Sequence, residues 1–153
     1  MSPGLLVLTP DDAASLAGLH ARCFDDCWSA EAMRGLLKDP NVLALGVQSA
    51  GRICAFIMGQ TVAGETDILT LATDPDQRRR GLAGQMIESL VRRLGERGVS
   101  RITLDVAEDN LAARELYRAH GFIEDGRRPR YYKAKRDIPV DAILMSRTLG
   151  LGF

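Results

Sequence analysis

The sequence predicts one mixed α/β domain in which short strands alternate with amphipathic helices. The chain has 153 residues, the usual size of one domain. Its hydrophobic fraction of 46% and charged fraction of 26% are those of an average globular protein. The apolar pattern switches between helical and strand periods without a linker or an internal repeat. The predicted domain therefore covers residues 1–153.

The first half of the chain predicts two helices followed by a hairpin and a further strand. Thr9 can cap a helix that has Pro10 at its first position, and Ser29 can cap a second helix that ends before Pro40. Gly51 separates two apolar runs and predicts the hairpin turn between them. The strands predicted in this half run over 5–8, 42–47, 53–62 and 67–72.

The second half predicts two more helices and three strands. A glycine-rich turn is followed directly by a helix, which ends near Gly95 and Gly98. A strand rich in β-forming residues follows, and Asn110 or Asp109 can cap the next helix, which Gly121 ends. The predicted segments are helices over 86–94 and 111–117 and strands over 102–106, 122–132 and 140–145.

Charge and cysteine content favour a protein of the cytoplasm. Lys plus Arg and Asp plus Glu both number 20, so no overall field attracts nucleic acid or an anionic membrane. No apolar run approaches the roughly 20 residues that span a bilayer, and the N-terminus lacks a basic signal-peptide region. The cysteines Cys23, Cys27 and Cys54 are odd in number and form no CxxC pair, which favours reduced thiols.

The segment over 68–94 predicts an anion site. A strand leads into a glycine-rich turn that opens a helix, whose first N–H groups have no partner within the helix. The small residues Gly81, Ala83 and Gly84 allow a phosphate to approach, and three preceding arginines raise the positive potential. The turn lacks the Gly-Lys-Ser/Thr of a Walker A loop. A dinucleotide fingerprint stays open, since Asp105 lies about 20 residues further on although the spacing is Gly-x-Ala-Gly.

Two motifs in order resemble the GNAT acetyltransferases. Arg78, Gly81 and Ala83 match the family's acetyl-coenzyme A pattern Gln/Arg-x-x-Gly-x-Gly/Ala. A second set, similar to the family's Asn…Ala…Leu-Tyr…Gly-Phe signature, consists of Asn110, Ala112, Ala113, Leu116, Tyr117, Gly121 and Phe122. The resemblance implies the GNAT fold: a central, mostly antiparallel sheet of six to seven strands, flanked by about four helices.

A narrower resemblance connects the chain to the bacterial ribosomal-protein-alanine N-acetyltransferases. It rests on Cys27-Trp28-Ser29, Gly126-Arg127-Arg128, Tyr131-Tyr132, Asp141-Ala142 and Met145. It implies that acetyl-coenzyme A is the cosubstrate and that a protein N-terminus, such as that of a ribosomal protein, accepts the acetyl group by direct attack in a ternary complex.

The resemblance also implies which residues hold the cosubstrate. These are Leu71, Ala72, Thr73, Arg78, Arg79, Arg80, Gly81, Leu82, Ala83, Gly84 and Asn110. It implies no metal, and the well-separated His20 and His120 give no zinc spacing. Within its helix, His20 is predicted to be a partly buried structural residue.

Asp105 and Tyr117 are the predicted catalytic pair. By resemblance, Asp105 is the base. It stands where the nearest relatives are expected to carry Glu, which is one methylene longer. A water would therefore connect the shorter Asp105 side chain to the acceptor amine. Glu108 is the other nearby carboxylate. Strand alternation points Asp105 away from the core. Tyr117 matches the family's general acid. About a tenth of an α-amine is already neutral at pH 7, so such an acceptor demands little of its base.

Several alternatives remain at this stage. Trp28 and Tyr131 are predicted to form walls for an acceptor peptide, although both could be core residues. The basic stretch 127–136 is interpreted as a solvated hairpin rather than an RNA-binding surface. Acetyl transfer to a lysine or a small amine, and an acyl-coenzyme A binding module without catalysis, both stay open. The sequence predicts neither a membrane partner nor an oligomeric state.

Overall fold

The structure is a computed structural model that describes residues 4–132 and 138–150. Seven strands form one sheet in the order β1-β2-β3-β4-β5-β7-β6. The strands are β1 (Gly4–Val7), β2 (Val42–Ser49), β3 (Arg52–Val62), β4 (Glu65–Thr73), β5 (Arg101–Ala107), β6 (Ile123–Tyr132) and β7 (Val140–Thr148). Every neighbouring pair is antiparallel except β4 and β5, which are parallel. The predicted mixed α/β fold with a mostly antiparallel sheet is confirmed.

Four helices flank this sheet, as predicted. They are α1 (Ala13–Cys23), α2 (Ala30–Lys38), α3 (Leu82–Glu96) and α4 (Leu111–Ala119). Ser29 caps α2 by accepting a hydrogen bond from the backbone of Ala32. The helix predicted after Thr9 begins with a 3-10 turn over Pro10–Asp12 and becomes α-helical only at Ala13. None of the described helices is both long and apolar enough to cross a membrane.

Two tight turns connect β2, β3 and β4. Ala50 and Gly51 form the first turn, and Ala63 and Gly64 form the second. All four residues have positive φ, which is the backbone of the two-residue turns that suit the twist of paired strands. The glycine in each turn adopts this conformation without the steric cost that alanine meets there.

The sheet separates two hydrophobic cores, and alternation along β3 supplies both of them. Phe56 and Met58 point to the face covered by α1 and α2, where Leu16 and Met33 are fully buried. Ala55 and Ile57 belong to the larger core beneath α3 and α4. The face under α1 and α2 also carries the Asp105 side chain of the candidate site, whereas Tyr117 lies in the larger core.

Candidate active site

Strands β4 and β5 separate part-way along their length. Their parallel pairing joins Glu65–Asp67 to Arg101–Thr103, and in the described part of the chain it goes no further. β4 then continues to Thr73 beside β3 alone, with a bulge at Leu69, which the pairing with β3 skips. The two strands thus form a strand fork, open between residues 68–73 of β4 and residues 104–107 of β5.

The loop after the fork carries the predicted anion site. Arg79 and Gly81 both have left-handed backbones, with φ of 68° and 74°, and α3 begins directly afterwards at Leu82. Arg78, Arg79 and Arg80 are exposed, and none of the described carboxylates forms an ion pair with them. Arg78 donates to the Thr73 carbonyl and Arg80 to the side chain of Gln77. The N–H groups at the start of α3 therefore lie beside three cations that have no ion pair with a described carboxylate.

Two residues of this loop have structural roles that the sequence did not indicate. The Leu82 side chain is buried in the core under α3, so its backbone alone is available to a ligand. A β-carbon added to Gly84 would lie 2.8 Å from Nε2 of His120. The small size of Gly84 therefore admits a neighbouring side chain, whereas the sequence suggested that it admits an anion.

Tyr117 lies on α4 with only 6% of its surface exposed, and its ring packs edge-on against Phe122 at 5.5 Å. The described residues offer its hydroxyl no hydrogen-bond partner. Burial raises the pKa of this hydroxyl above its usual value, with a smaller contribution from Tyr132. Tyr117 is therefore a protonated donor that has no acceptor for its proton among the described residues.

Asp105 points out of the core while Leu104 and Val106 are buried, so the predicted alternation is confirmed. Its Oδ2 lies 3.6 Å from Nη1 of Arg128 on β6. Glu108, the other candidate base, is held in an ion pair with Arg127 at 3.1 Å. Asp105 is thus the carboxylate of β5, and it lies on the face of the sheet opposite α3 and α4.

The chain matches the acetyltransferase (GNAT) family over residues 13–122. It belongs to the GNAT acetyltransferase family. It is therefore an N-acetyltransferase, and the predicted fold family and enzyme class are confirmed.

Several relatives and solved structures are similar to this GNAT enzyme. The [ribosomal protein bS18]-alanine N-acetyltransferase of Escherichia coli is 37% identical over 101 residues, which are 66% of this chain and 68% of the relative. The N-alpha-acetyltransferase RimI of Mycobacterium tuberculosis is 33% identical over 149 residues, covering 94% of this chain and 90% of the relative. The crystal structure of the ribosomal-protein-S18-alanine N-acetyltransferase from Escherichia coli superposes with a TM-score of 0.91 at 29% identity, covering 98% of this chain and 96% of that one.

Trp28 of this acetyltransferase is fixed by a buried histidine. The rings of Trp28 and His20 stack at 4.8 Å, and the backbone N–H of Trp28 donates to Nδ1 of His20 at 3.1 Å. The other ring nitrogen lies 3.3 Å from the Thr70 hydroxyl. Burial lowers the pKa of His20, against an opposing effect of Asp26. His20 is therefore the structural residue that the sequence predicted, and it connects Trp28 to β4.

Tyr131 is 51% exposed at the end of β6, so it is not a core residue. The guanidinium of Arg128 lies 5.4 Å from its ring centroid, and Tyr132 packs edge-on against it. Arg127 and Arg128 are engaged by carboxylates of β5, β7 and the loop after β5, which leaves less charge for RNA. Residues 133–136 of the predicted basic stretch lie outside the described residues.

Asp67 is a further polar residue of the fork, and the sequence motifs did not include it. Asp67 is the last residue of β4 paired with β5, and its Oδ1 accepts a hydrogen bond from the Thr103 hydroxyl at 2.9 Å. Burial raises its pKa, and so does Asp105, while the Thr103 hydrogen bond and Arg128 oppose the rise. Aspartate is uncommon in β-strands, and its occurrence in the predicted strand over 67–72 is the one indication of this residue in the sequence.

The described residues contain no group of three or more His, Cys, Asp or Glu side chains arranged to hold a metal ion. His120 is instead bound to Glu88, with Nδ1 and Oε2 2.6 Å apart. Asp105 at the fork can accept a proton and Tyr117 of α4 can donate one, and acyl transfer to an amine requires both kinds of group.

Proposed function

We propose that this enzyme transfers the acetyl group of acetyl-coenzyme A to the α-amine of a protein N-terminus, in a ternary complex without a metal. The observation that carries the proposal is the strand fork, which has Asp105 on one arm and, on the other, the edge of residues 71–73 that has no β5 partner. The Escherichia coli relatives named above are ribosomal-protein-alanine N-acetyltransferases, and the Mycobacterium tuberculosis relative is an N-alpha-acetyltransferase, which supports the same class of acceptor here.

The cosubstrate site would extend from the fork to the start of α3. Alternate backbone groups over residues 71–73 point away from β3 into the gap that β5 leaves, so they can bind an extended amide-containing chain. The Thr73 carbonyl also accepts hydrogen bonds from Cys23 and Arg78. The left-handed backbone at Arg79 and Gly81 turns successive N–H groups toward one side, which suits a diphosphate. Acetyl-coenzyme A would supply the thioester that is the acetyl donor.

Three further residue groups would complete this cosubstrate site. The exposed Arg78, Arg79 and Arg80 add positive charge beside the diphosphate. The backbone of residues 82–84 contributes the first N–H groups of α3. The side-chain carbonyl of Asn110 caps α4 through Ala113, which leaves its amide nitrogen to donate to the ligand.

Asp105 and Tyr117 would divide the proton transfers. Asp105 would act on the acceptor amine through a water, because its side chain is one methylene shorter than Glu. Burial keeps the Tyr117 hydroxyl protonated at neutral pH, so this residue would give its proton to the departing thiolate. An acceptor α-amine needs little assistance, since about a tenth of it is neutral at pH 7.

Trp28 and Tyr131 would form the walls of the acceptor site. Trp28 is half-buried and fixed by His20, while Tyr131 is exposed near the end of strand β6. A rigid wall and an accessible aromatic ring suit a peptide backbone that passes between them. The cysteines of the described residues are all free thiols, and we propose that the enzyme works in the cytoplasm.

The deciding experiment measures release of free thiol from acetyl-coenzyme A with two peptides. One begins Ala-Arg with a free α-amine, and the other has a blocked N-terminus and one internal lysine. We expect turnover on the first peptide alone. Turnover on the lysine peptide alone would contradict the proposal in favour of a lysine acetyltransferase. Binding of the cosubstrate without turnover on peptides or small amines would contradict it in favour of an acyl-coenzyme A binding module.

A further inference from the structure

His20 of α1 connects Trp28 to the open arm of the strand fork. The backbone N–H of Trp28 donates to Nδ1 of the ring at 3.1 Å, and Nε2 lies 3.3 Å from the Thr70 hydroxyl. Thr70 follows the bulge at Leu69, in the part of β4 that has no β5 partner. Only 3% of the His20 surface is exposed, so water does not replace either contact. The imidazole is therefore a hydrogen-bonded bridge between Trp28 and the fork.

The two hydrogen bonds of this bridge fix the tautomer of His20. Because the Trp28 N–H is a donor, Nδ1 is the unprotonated nitrogen, and the neutral ring carries its hydrogen on Nε2. That hydrogen is donated to the hydroxyl oxygen of Thr70. A second proton would bind to Nδ1 and face the Trp28 N–H, so two donors would meet. The bridge is therefore complete only while the imidazole is neutral.

The surroundings of His20 favour the neutral ring. The aromatic rings that lie between 4.5 and 6.4 Å from the imidazole, centroid to centroid, belong to Phe24, Trp28 and Phe56. From β3 the imidazole therefore meets an uncharged aromatic ring, and from β4 it meets the uncharged Thr70. Burial lowers the pKa of His20, and the charge of Asp26 in the loop after α1 opposes this in part. The form of the imidazole that the bridge requires is thus the form that the site stabilises.

The bridge holds the acceptor loop, residues 24–29, which connects α1 to α2 and belongs to neither helix. Its hydrogen bond and ring stacking hold Trp28 against α1, directly before Ser29 caps α2. The end of β4 beside the proposed cosubstrate site has separate contacts with α1. Arg22 pairs with Asp74 at 2.7 Å, and the Cys23 thiol donates to the backbone carbonyl of residue 73. Loss of the bridge would therefore move Trp28 without removing these contacts.

We propose that His20 is a positioning residue for the acceptor: its neutral ring holds Trp28 beside the fork, and protonation of the ring releases Trp28 and weakens acceptor binding. This inference rests on the proposed function, in which Trp28 is one wall of the acceptor site. The proton comes from solvent and returns to it. His20 touches neither the acetyl donor nor the amine, so the inference concerns the affinity for the acceptor and leaves the chemical step to other residues.

The fluorescence of Trp28 tests the release without an activity assay, because Trp28 is the one tryptophan of the chain. As the pH falls from 8 to 5, the emission maximum of the wild type should move to longer wavelength, since the half-buried indole becomes more exposed to water. His20→Asn and His20→Gln should lack this transition. An emission maximum that does not change with pH in the wild type would overturn the inference. A change that coincides with loss of the helical circular dichroism would be unfolding, and it would overturn the inference as well.

The same two variants form a matched pair for kinetics. Both lose the ring and its stacking, so both should lower the melting temperature by similar amounts. Asparagine places its carbonyl oxygen where Nδ1 accepts from the Trp28 N–H, whereas the longer glutamine side chain reaches toward Thr70 instead. At pH 7.5 we expect KM for the Ala-Arg peptide to rise about 10-fold in His20→Gln and less than about 3-fold in His20→Asn. The turnover number and the affinity for acetyl-coenzyme A should stay within about twofold of the wild type in both.

Equal rises of KM in the two variants would overturn the inference, because the lost ring packing alone would then explain them. A fall of kcat or of cosubstrate affinity as large as the change in KM would overturn it too, since His20 would then support the whole site.

The acetylated product peptide separates the titration of His20 from that of the acceptor amine. This peptide occupies the acceptor site but has no amine to protonate. Its inhibition constant should rise about 10-fold between pH 7.5 and pH 5 in the wild type and less than about 3-fold in His20→Asn. Equal rises in the two proteins would overturn the inference. If the wild type does not acetylate the Ala-Arg peptide, the proposed function itself has failed, and the fluorescence transition still decides whether protonation of His20 releases Trp28.

Discussion

The imidazole of His120 occupies the space that a side chain on Gly84 would need. Its Nε2 lies 2.8 Å from the position of a β-carbon on Gly84, and its Nδ1 lies 2.6 Å from the Glu88 carboxylate one turn further along α3. Arg147 of β7 reaches the same carboxylate and also the backbone carbonyl of His120. The C-terminal end of α4 is thereby fixed against the first turns of α3, beside the proposed diphosphate site.

Gly84→Ala should destabilise the enzyme by about 1–3 kcal/mol, because the ring and the new methyl group cannot both keep their places. Urea unfolding measures the loss. In the double variant with His120→Ala, the loss caused by the methyl group should be largely relieved, giving a clear coupling energy. Strictly additive effects of the two substitutions would contradict this account of the contact.

Tyr117→Phe should lower the turnover rate without lowering the stability of the fold. The ring keeps its contact with Phe122, and the hydroxyl that is lost has no partner among the described residues. We expect the melting temperature and the affinity for acetyl-coenzyme A to stay near the wild type while kcat falls about 100-fold. Unchanged turnover in steady-state assays of thiol release would remove Tyr117 from the mechanism.

Asp105→Asn should lower turnover most at acid pH, where the acceptor amine is protonated, and less at pH 9. The substitution also breaks the ion pair with Arg128. Arg128→Gln breaks the same pair but leaves the carboxylate, so it serves as the control and should have the smaller effect. Profiles of kcat/KM against pH for both variants make the comparison. An equal loss at pH 6.5 and pH 9 in Asp105→Asn would argue for a structural role.

His20 should make the fold sensitive to acid. Because burial lowers its folded-state pKa, the unfolded chain binds more protons once the pH drops below about 6.5. The free energy of unfolding should therefore be at its full value above that pH. Below it, the free energy should fall by at most about 1.4 kcal/mol per pH unit.

Urea titrations between pH 8 and 5 measure this slope, and His20→Gln is the comparison. The variant should be less stable overall, because it loses the ring stacking with Trp28 and the hydrogen bond that the Trp28 backbone N–H donates to His20. However, the contribution of His20 to the acid slope should disappear. An unchanged slope would mean that other groups cause the acid sensitivity.

The elements that the sequence predicted well depend on local chemistry. The cap at Ser29, the turn at Gly51 and the start of α3 after Gly81 are all decided by residues a few positions apart. The resemblance to the GNAT family added the mostly antiparallel sheet of six to seven strands, which the structure confirms.

What the sequence could not predict depends on contacts between distant residues. Gly84 meets His120 from another helix, and Thr103 orients Asp67 from the neighbouring strand. An aspartate within a strand is uncommon, but this signal does not indicate what the side chain contacts. The position of Asp67 at the end of the pairing between β4 and β5 depends on residues that are distant in sequence.

The strand fork also has a consequence for amide hydrogen exchange. Alternate N–H groups of an antiparallel strand point away from its partner, and beyond Asp67 those of β4 have no β5 strand to receive them. Deuterium should therefore enter 68–73 in an alternating pattern in the free enzyme, with fast and slow amides side by side. A bound cosubstrate that pairs with this edge should slow exchange of the fast amides alone. Exchange measured at each residue would then show which backbone groups the cosubstrate contacts.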